Sequence, residues 1–153
     1  PSEVYSLDIR VASSADDAEE RPSGYVGLTS SDLELVNDGG DQTVGMRFAG
    51  LNVPQGATIV SAYVQFRADE SDDGATSLQI AGEAIDNATA FVSTPESISS
   101  RSRTGASVAW SPAPVTTLPS SSPATWPAHS SCADCSGACR KGPTATAINS
   151  SIR

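Results

Sequence analysis

Basic side chains are scarce in this sequence, and several classes of function go with them. One lysine, Lys141, and eight arginines stand against eighteen acids, for a formal charge of -9 and a pI near 4.3. A surface of that sign repels a phosphate backbone, so nucleic acid is not an expected partner. The one histidine, His129, stands among serines and prolines, where nothing holds it beside an activated serine or a carboxylate. No nucleophilic triad can be assembled around it. Aromatic residues make up only 5% of the chain. Paired carboxylates invite a glycosidase reading, but the sugar-stacking walls of a hydrolase cleft would be thin here, and the chain reads as a non-enzyme. Long apolar runs are absent too: none approaches the roughly 20 residues of a bilayer-spanning helix. No basic start leads into an apolar stretch of the signal-peptide type. The first residue, Pro1, is expected of a processed product or an excised piece.

What is present is alternation. With 153 residues, 38% of them hydrophobic, the chain can bury one core. Tyr5, Leu7, Ile9 and Val11 alternate with Ser6, Asp8 and Arg10, and Val44, Met46 and Phe48 alternate with Gly45 and Arg47. Val60, Ala62, Val64 and Phe66 repeat the pattern, and Leu33 with Leu35, Leu78 with Ile80 and Val108 with Trp110 extend it in shorter pieces. A period of two is that of half-buried strands. Turn residues separate them at Pro22-Ser23-Gly24, Asn37-Asp38-Gly39-Gly40, Pro54-Gln55-Gly56 and Asp72-Asp73-Gly74. No apolar stripe of period 3.6 argues for a helix longer than a turn or two. The expected fold is all-β, an antiparallel β-sandwich over residues 1–112.

Composition changes near Ser111. Five of the ten prolines fall between Pro112 and Pro127, among Ser, Thr and Ala. A central strand cannot lose so many ladder donors, so residues 113–153 read as an irregular Pro/Ser-rich linker and tail. The tail holds all three cysteines, Cys132, Cys135 and Cys139, within eight residues. Disulfide chemistry is the first reading, since an extracellular setting pairs two thiols and leaves a third for another chain. With His129 they also form a zinc-type donor set, though drawn from one short stretch rather than two separated pairs. Asn87-Ala88-Thr89 and Asn149-Ser150-Ser151 are N-glycosylation acceptors in a glycosylating cell.

The acids are clustered, and almost all lie before residue 87. Calcium takes six to eight oxygens, best delivered from a loop that folds around the ion. Asp69-Glu70-Ser71-Asp72-Asp73-Gly74 supplies oxygens at alternate positions and then a glycine, but Ile80 stands where an EF-hand needs its distal glutamate. Asp69 and Asp73, joined by Glu83 and Asp86, are the first candidate ligands; Asp16, Asp17, Glu19 and Glu20 are the second. The plainer alternative is solvated surface charge, set against the electrostatic cost of four carboxylates in five residues.

Taken in order, Ser14-Ala15-Asp16-Asp17-Ala18-Glu19-Glu20, Asp32-Leu33-Glu34-Leu35, Gln42–Phe48, Ile59–Phe66, Gly82–Ala88 and Ser107–Pro112 resemble a jelly-roll-like module that recurs in large secreted, mostly bacterial, proteins. It is distantly similar to calcium-containing carbohydrate-binding modules. The resemblance covers about residues 4 to 115. It implies a non-catalytic extracellular or cell-surface module, with structural calcium and polysaccharide binding as possible properties. Members continue with further strands where this chain turns to proline and cysteine. A sheet short of strands exposes unpaired backbone, which the tail or a second copy must cover, for instance by donating Thr144 to Ile152. One-way donation builds a homo-oligomer or a filament. Three functions follow: a calcium-stabilised, self-associating structural or adhesive module; a carbohydrate-binding module of a secreted enzyme; and a small zinc or redox protein using the cysteine tail.

Overall fold

A computed structural model describes residues 4–35, 37–118, 121–126 and 145–151. The chain is all-β: the described residues hold eight strands and no helix, and hence no helix long and apolar enough to cross a membrane. The strands are β1 (Asp17–Glu20), β2 (Val26–Gly27), β3 (Thr43–Phe48), β4 (Ala62–Arg67), β5 (Leu78–Glu83), β6 (Arg103–Trp110), β7 (Ser121–Trp126) and β8 (Ala145–Ser151). They form two antiparallel sheets, one of six strands in the order β2-β1-β3-β8-β5-β6 and one of two, β4-β7.

The large sheet follows from the alternation. In β3, Val44 and Met46 turn to one face while Gly45 and Arg47 turn to the other, as a period of two requires. Pro22-Ser23-Gly24 closes β1 onto β2: Gly24 adopts a φ of 83°, open to glycine without strain, and its N–H donates to the Arg21 carbonyl at 2.8 Å. The last strand, β8, lies between β3 and β5, with Ile148 opposite both Gly45 and Ala81. Two strands distant in sequence are thereby joined through the C-terminal residues of the same chain.

Each face of this sheet carries its own apolar cluster. On one, Met46 and Ile80 meet Ala124 of β7, ringed by the partly buried Val11, Leu33, Phe48, Val64, Phe66 and Trp110. Phe66 and Trp110 stack there with ring centroids 4.7 Å apart. On the other face the connection between β5 and β6, residues 84–102, folds back over the sheet. It brings Phe91 and Ile98 against Ala18 and Val26, all four buried. Phe91 lies so close to β3 that only a glycine fits beneath it at position 45.

Several expectations change. Residues 5–11 join no strand ladder among the described residues, and Val4, Tyr5 and Leu7 are 82%, 77% and 52% exposed. Alternation specifies a face only where a second layer covers it, and here cover reaches no further than the half-buried Ile9 and Val11. Leu33 and Leu35 likewise form no strand. Conversely the acidic run Asp17–Glu20 is a strand, because pairing with β2 and β3 outweighs the poor strand propensity of Asp and Glu. Residues 121–126, read as linker, form β7 with Pro123 opposite Gln65. A two-stranded sheet has only edge strands, where a missing N–H is tolerated.

Gly45→Ala places a methyl carbon 2.5 Å from the Phe91 ring, far inside contact. The substitution is expected to lower stability by about 1–3 kcal/mol. Gly105→Ala, where nothing lies within 4 Å, should stay within roughly 0.5 kcal/mol of the parent, both variants being read by urea titration.

Candidate functional site

Three of the acids that stand out in the sequence, Asp16, Glu20 and Glu83, are engaged on the face covered by residues 84–102. Strand alternation sends Ala18 and Glu20 to that face and Asp17 and Glu19 to the other. Asp16, one residue before β1, shares the face with Arg47. The Arg47 guanidinium donates to the Asp16 carboxylate and, through Nε, to the Ala88 carbonyl at 2.9 Å. The Ser13 hydroxyl donates to the second Asp16 oxygen at 2.8 Å. Glu20 is 5% exposed, and its Oε2 accepts from the backbone N–H groups of Ile98 and Ser99 at 2.8 and 2.9 Å.

Arg101 completes the set. It donates to Glu83 Oε2 at 2.9 Å and to the carbonyls of Thr89, Ala90 and Ser97 at 3.0, 3.1 and 3.0 Å, with its guanidinium 4.4 Å from the Phe91 ring centroid. The side chains of Arg101 and Glu83 are 10% and 9% exposed. Two backbone bonds close the frame: Phe91 N–H to the Ala15 carbonyl at 2.8 Å and Glu96 N–H to the Gly24 carbonyl at 2.9 Å. Chemically this is a set of anchors. Asp16, Glu20 and Glu83 accept hydrogen bonds from donors of their own chain, which satisfies buried charge without a further ligand.

The opposite side of β1 is electrostatically less comfortable. Glu19 Oε1 accepts from the Glu34 N–H at 2.6 Å and from the Gln42 amide at 3.4 Å. Burial pushes the Glu19 carboxyl above its ordinary range, assisted by the charges of Asp32 and Asp38, while those two hydrogen bonds pull it back. Asp17 is likewise raised, by burial first and by its neighbour Asp16.

The first-choice calcium ligands are dispersed in role. Asp69, Asp73 and Asp86 are exposed, whereas Glu83 is engaged by Arg101. In the 69–74 turn it is Asp72 that is used, accepting the Gly74 N–H at 2.7 Å while its backbone pairs with Val115. Among the described residues no group of three or more Asp, Glu, His or Cys side chains is placed to hold a metal ion. Asn87 is exposed, and Asn149 lies in β8 opposite Val44 and Ile80. Cys132, Cys135, Cys139 and His129 lie outside the described residues.

A pocket of about 180 Å³ opens between the β1–β2 turn and residues 96–99, lined by Glu20, Arg21, Asp41, Thr43, Glu96 and Ser99 among others. Glu96 has a φ of 61°, unusual for a residue with a side chain, and a Cβ on Gly24 would lie 3.0 Å from its Cγ. Arg21 bonds Asp38 at 3.2 Å and lies 5.8 Å from the centre of the Tyr25 ring, itself 60% exposed. The pocket is smaller than most small-molecule sites and strongly polar. Only the Pro22-Ser23-Gly24 turn signalled it, because its second wall comes from residues more than seventy positions away.

No family model matches the chain, and no curated protein or solved structure matches it. The resemblance to a secreted jelly-roll module therefore rests on the residues quoted for it.

Arg101→Met leaves Glu83 buried without its cation and unties three carbonyls of the 84–102 connection. A loss of about 3–5 kcal/mol is expected, read as a lower urea midpoint with new protease cleavage between residues 84 and 102. Asp17 holds its proton more tightly when folded than at its ordinary 3.8, so stability should fall as pH rises through and just above that value. Asp17→Asn should remove that fall and raise the melting temperature at pH 7.

Proposed function

We propose that this chain is a non-catalytic structural or adhesive module of an extracellular surface, a jelly-roll-like β-sandwich that associates with copies of itself. One observation carries the reading. The cluster beneath the two-stranded sheet buries only Met46, Ile80 and Ala124, while Val11, Leu33, Phe48, Val64, Phe66 and Trp110 remain partly open. A half-covered apolar layer is the kind of surface on which sheets join. Catalysis has less support, because the buried carboxylates are occupied in holding the 84–102 connection.

Calcium enters this proposal as a counter-ion of the exposed Asp69, Asp73 and Asp86, met singly, since these are not grouped around one ion. An extracellular setting draws support from the exposed sequon at Asn87 and from the strongly acidic surface. Polysaccharide binding is the weaker reading, since the polar pocket at the β1–β2 turn is too small to enclose a sugar chain.

Sedimentation velocity over a concentration series is expected to show species heavier than the 15.6 kDa chain, growing with concentration. Electron microscopy of the heaviest fraction should show ordered particles or fibres. A monomer at every concentration would falsify the proposal.

A further inference from the structure

We propose that the pocket between the β1–β2 turn and residues 96–99 binds a primary ammonium group carried on a slender alkyl chain; the proposal stands apart from self-association. Three carboxylates, those of Glu20, Asp41 and Glu96, line the pocket against one guanidinium, that of Arg21. Arg21 is answered by Asp38 at 3.2 Å and lies over Tyr25, so the lining keeps an excess of negative charge. Asp41 accepts from the Asn37 amide at 3.3 Å and contributes charge more than a free acceptor.

Acids are common on a surface of this sign, and the buried Glu20 sets these apart. Glu20 is 5% exposed, and both N–H groups that donate to it, from Ile98 and Ser99, end on Oε2. Those two bonds fix the carboxylate in place. Its other oxygen, Oε1, accepts from none of the described residues, so Glu20 lines the pocket with an acceptor unused and largely withdrawn from bulk water. From the second wall, Glu96 donates its N–H to the Gly24 carbonyl and lays its side chain against Gly24, with Oε1 3.7 Å from where a Cβ on that residue would stand. The Glu96 carboxylate bonds to none of the described residues. Thr43 and Ser99, each with a hydroxyl, complete the lining.

Among the described residues no three acids are placed to hold a metal ion together, so the matching charge is an organic cation. An ammonium carries its N–H donors on a compact head, enough to meet a buried single oxygen, an exposed carboxylate and a hydroxyl. A guanidinium is a poorer match at the buried end, because its planar fork needs both oxygens of one carboxylate and Glu20 has given Oε2 to the backbone. A quaternary ammonium has no N–H and would leave Oε1 unanswered. The volume of about 180 Å³ limits the occupant to the head group and the first carbons of its chain. Such a group is found on free alkylamines and on the lysine side chains of other proteins.

The test is an amide NMR titration of the full chain at fixed ionic strength with n-butylammonium, with the peptide acetyl-Gly-Lys-Gly-amide and with tetramethylammonium. The first two are expected to move the signals of Gly24, Glu96, Ile98 and Ser99 saturably, and tetramethylammonium to leave them in place. Glu96→Gln should weaken binding about tenfold. Glu96 is exposed, so its circular dichroism should match the parent. Glu70→Gln removes the same charge from an exposed acid outside the lining and should bind as the parent does. Tighter binding of the peptide identifies a protein lysine as the source, and tighter binding of butylammonium a free amine. Equal shifts with tetramethylammonium, or equal weakening by Glu70→Gln, would mean general attraction to an acidic surface and overturn the site. The absence of any shift at tens of millimolar amine would overturn it too, and either result would leave self-association standing.

Discussion

The guanidinium of Arg101 is the node on which this architecture depends. It reaches Glu83 at the end of β5 and three carbonyls of the 84–102 connection while lying over Phe91. A connection of that length between neighbouring strands would ordinarily run free over the surface. Here the charge of Arg101 converts it into a lid for one face of the sheet. Glu20 and the Asp16–Arg47 pair hold the lid at two further points, on strands at the other side of the sheet. A buried ion pair adds little net stability over an apolar isostere, but it is costly to break singly. Its effect is to fix which segment covers the sheet and in what position.

That arrangement makes the two faces unequal. Beneath the lid, Ala18, Val26, Phe91 and Ile98 are fully buried, and Gly45 permits an approach that any side chain would prevent. Beneath the two-stranded sheet the larger apolar side chains, Phe48, Phe66 and Trp110, are only partly covered. The first face is complete within the chain. The second leaves apolar side chains partly open, and the proposed self-association arises there.

The acidity of the chain divides the same way. Asp16, Glu20 and Glu83 are enclosed and matched to donors, so they behave as parts of the core. Asp17 and Glu19, one position over in the same strand, face a side with fewer donors, and burial there resists their ionisation. A single residue step thus separates a stabilising carboxylate from a strained one, because strand geometry alternates faces while the composition does not. Asp69, Asp73 and Asp86 remain in solvent and carry the charge that the outside world meets.

Much of the strand content was legible in advance. β3, β4 and β5 fall on alternating runs, and their turns fall on Gly, Pro, Asn and Asp, since a period of two and a positive φ are local properties. β6 was visible only at Val108 and Trp110, because Gly105, Ala106 and Ser107 carry no apolar signal. Residues 5–11 bear the same local pattern as β3 yet join no ladder, and Asp17–Glu20 lack the pattern yet form β1. Their outcome turns on whether a partner strand is within reach. By itself the sequence determined the all-β class, the turns and the sign of the surface, all of which arise within a few residues. Only the tertiary structure decided that Asp16, Glu20 and Glu83 hold a lid, that β8 lies between β3 and β5, and that one core is closed and the other open. Those outcomes join residues up to about a hundred positions apart, as β3 and β8 are, and no local period encodes such a meeting.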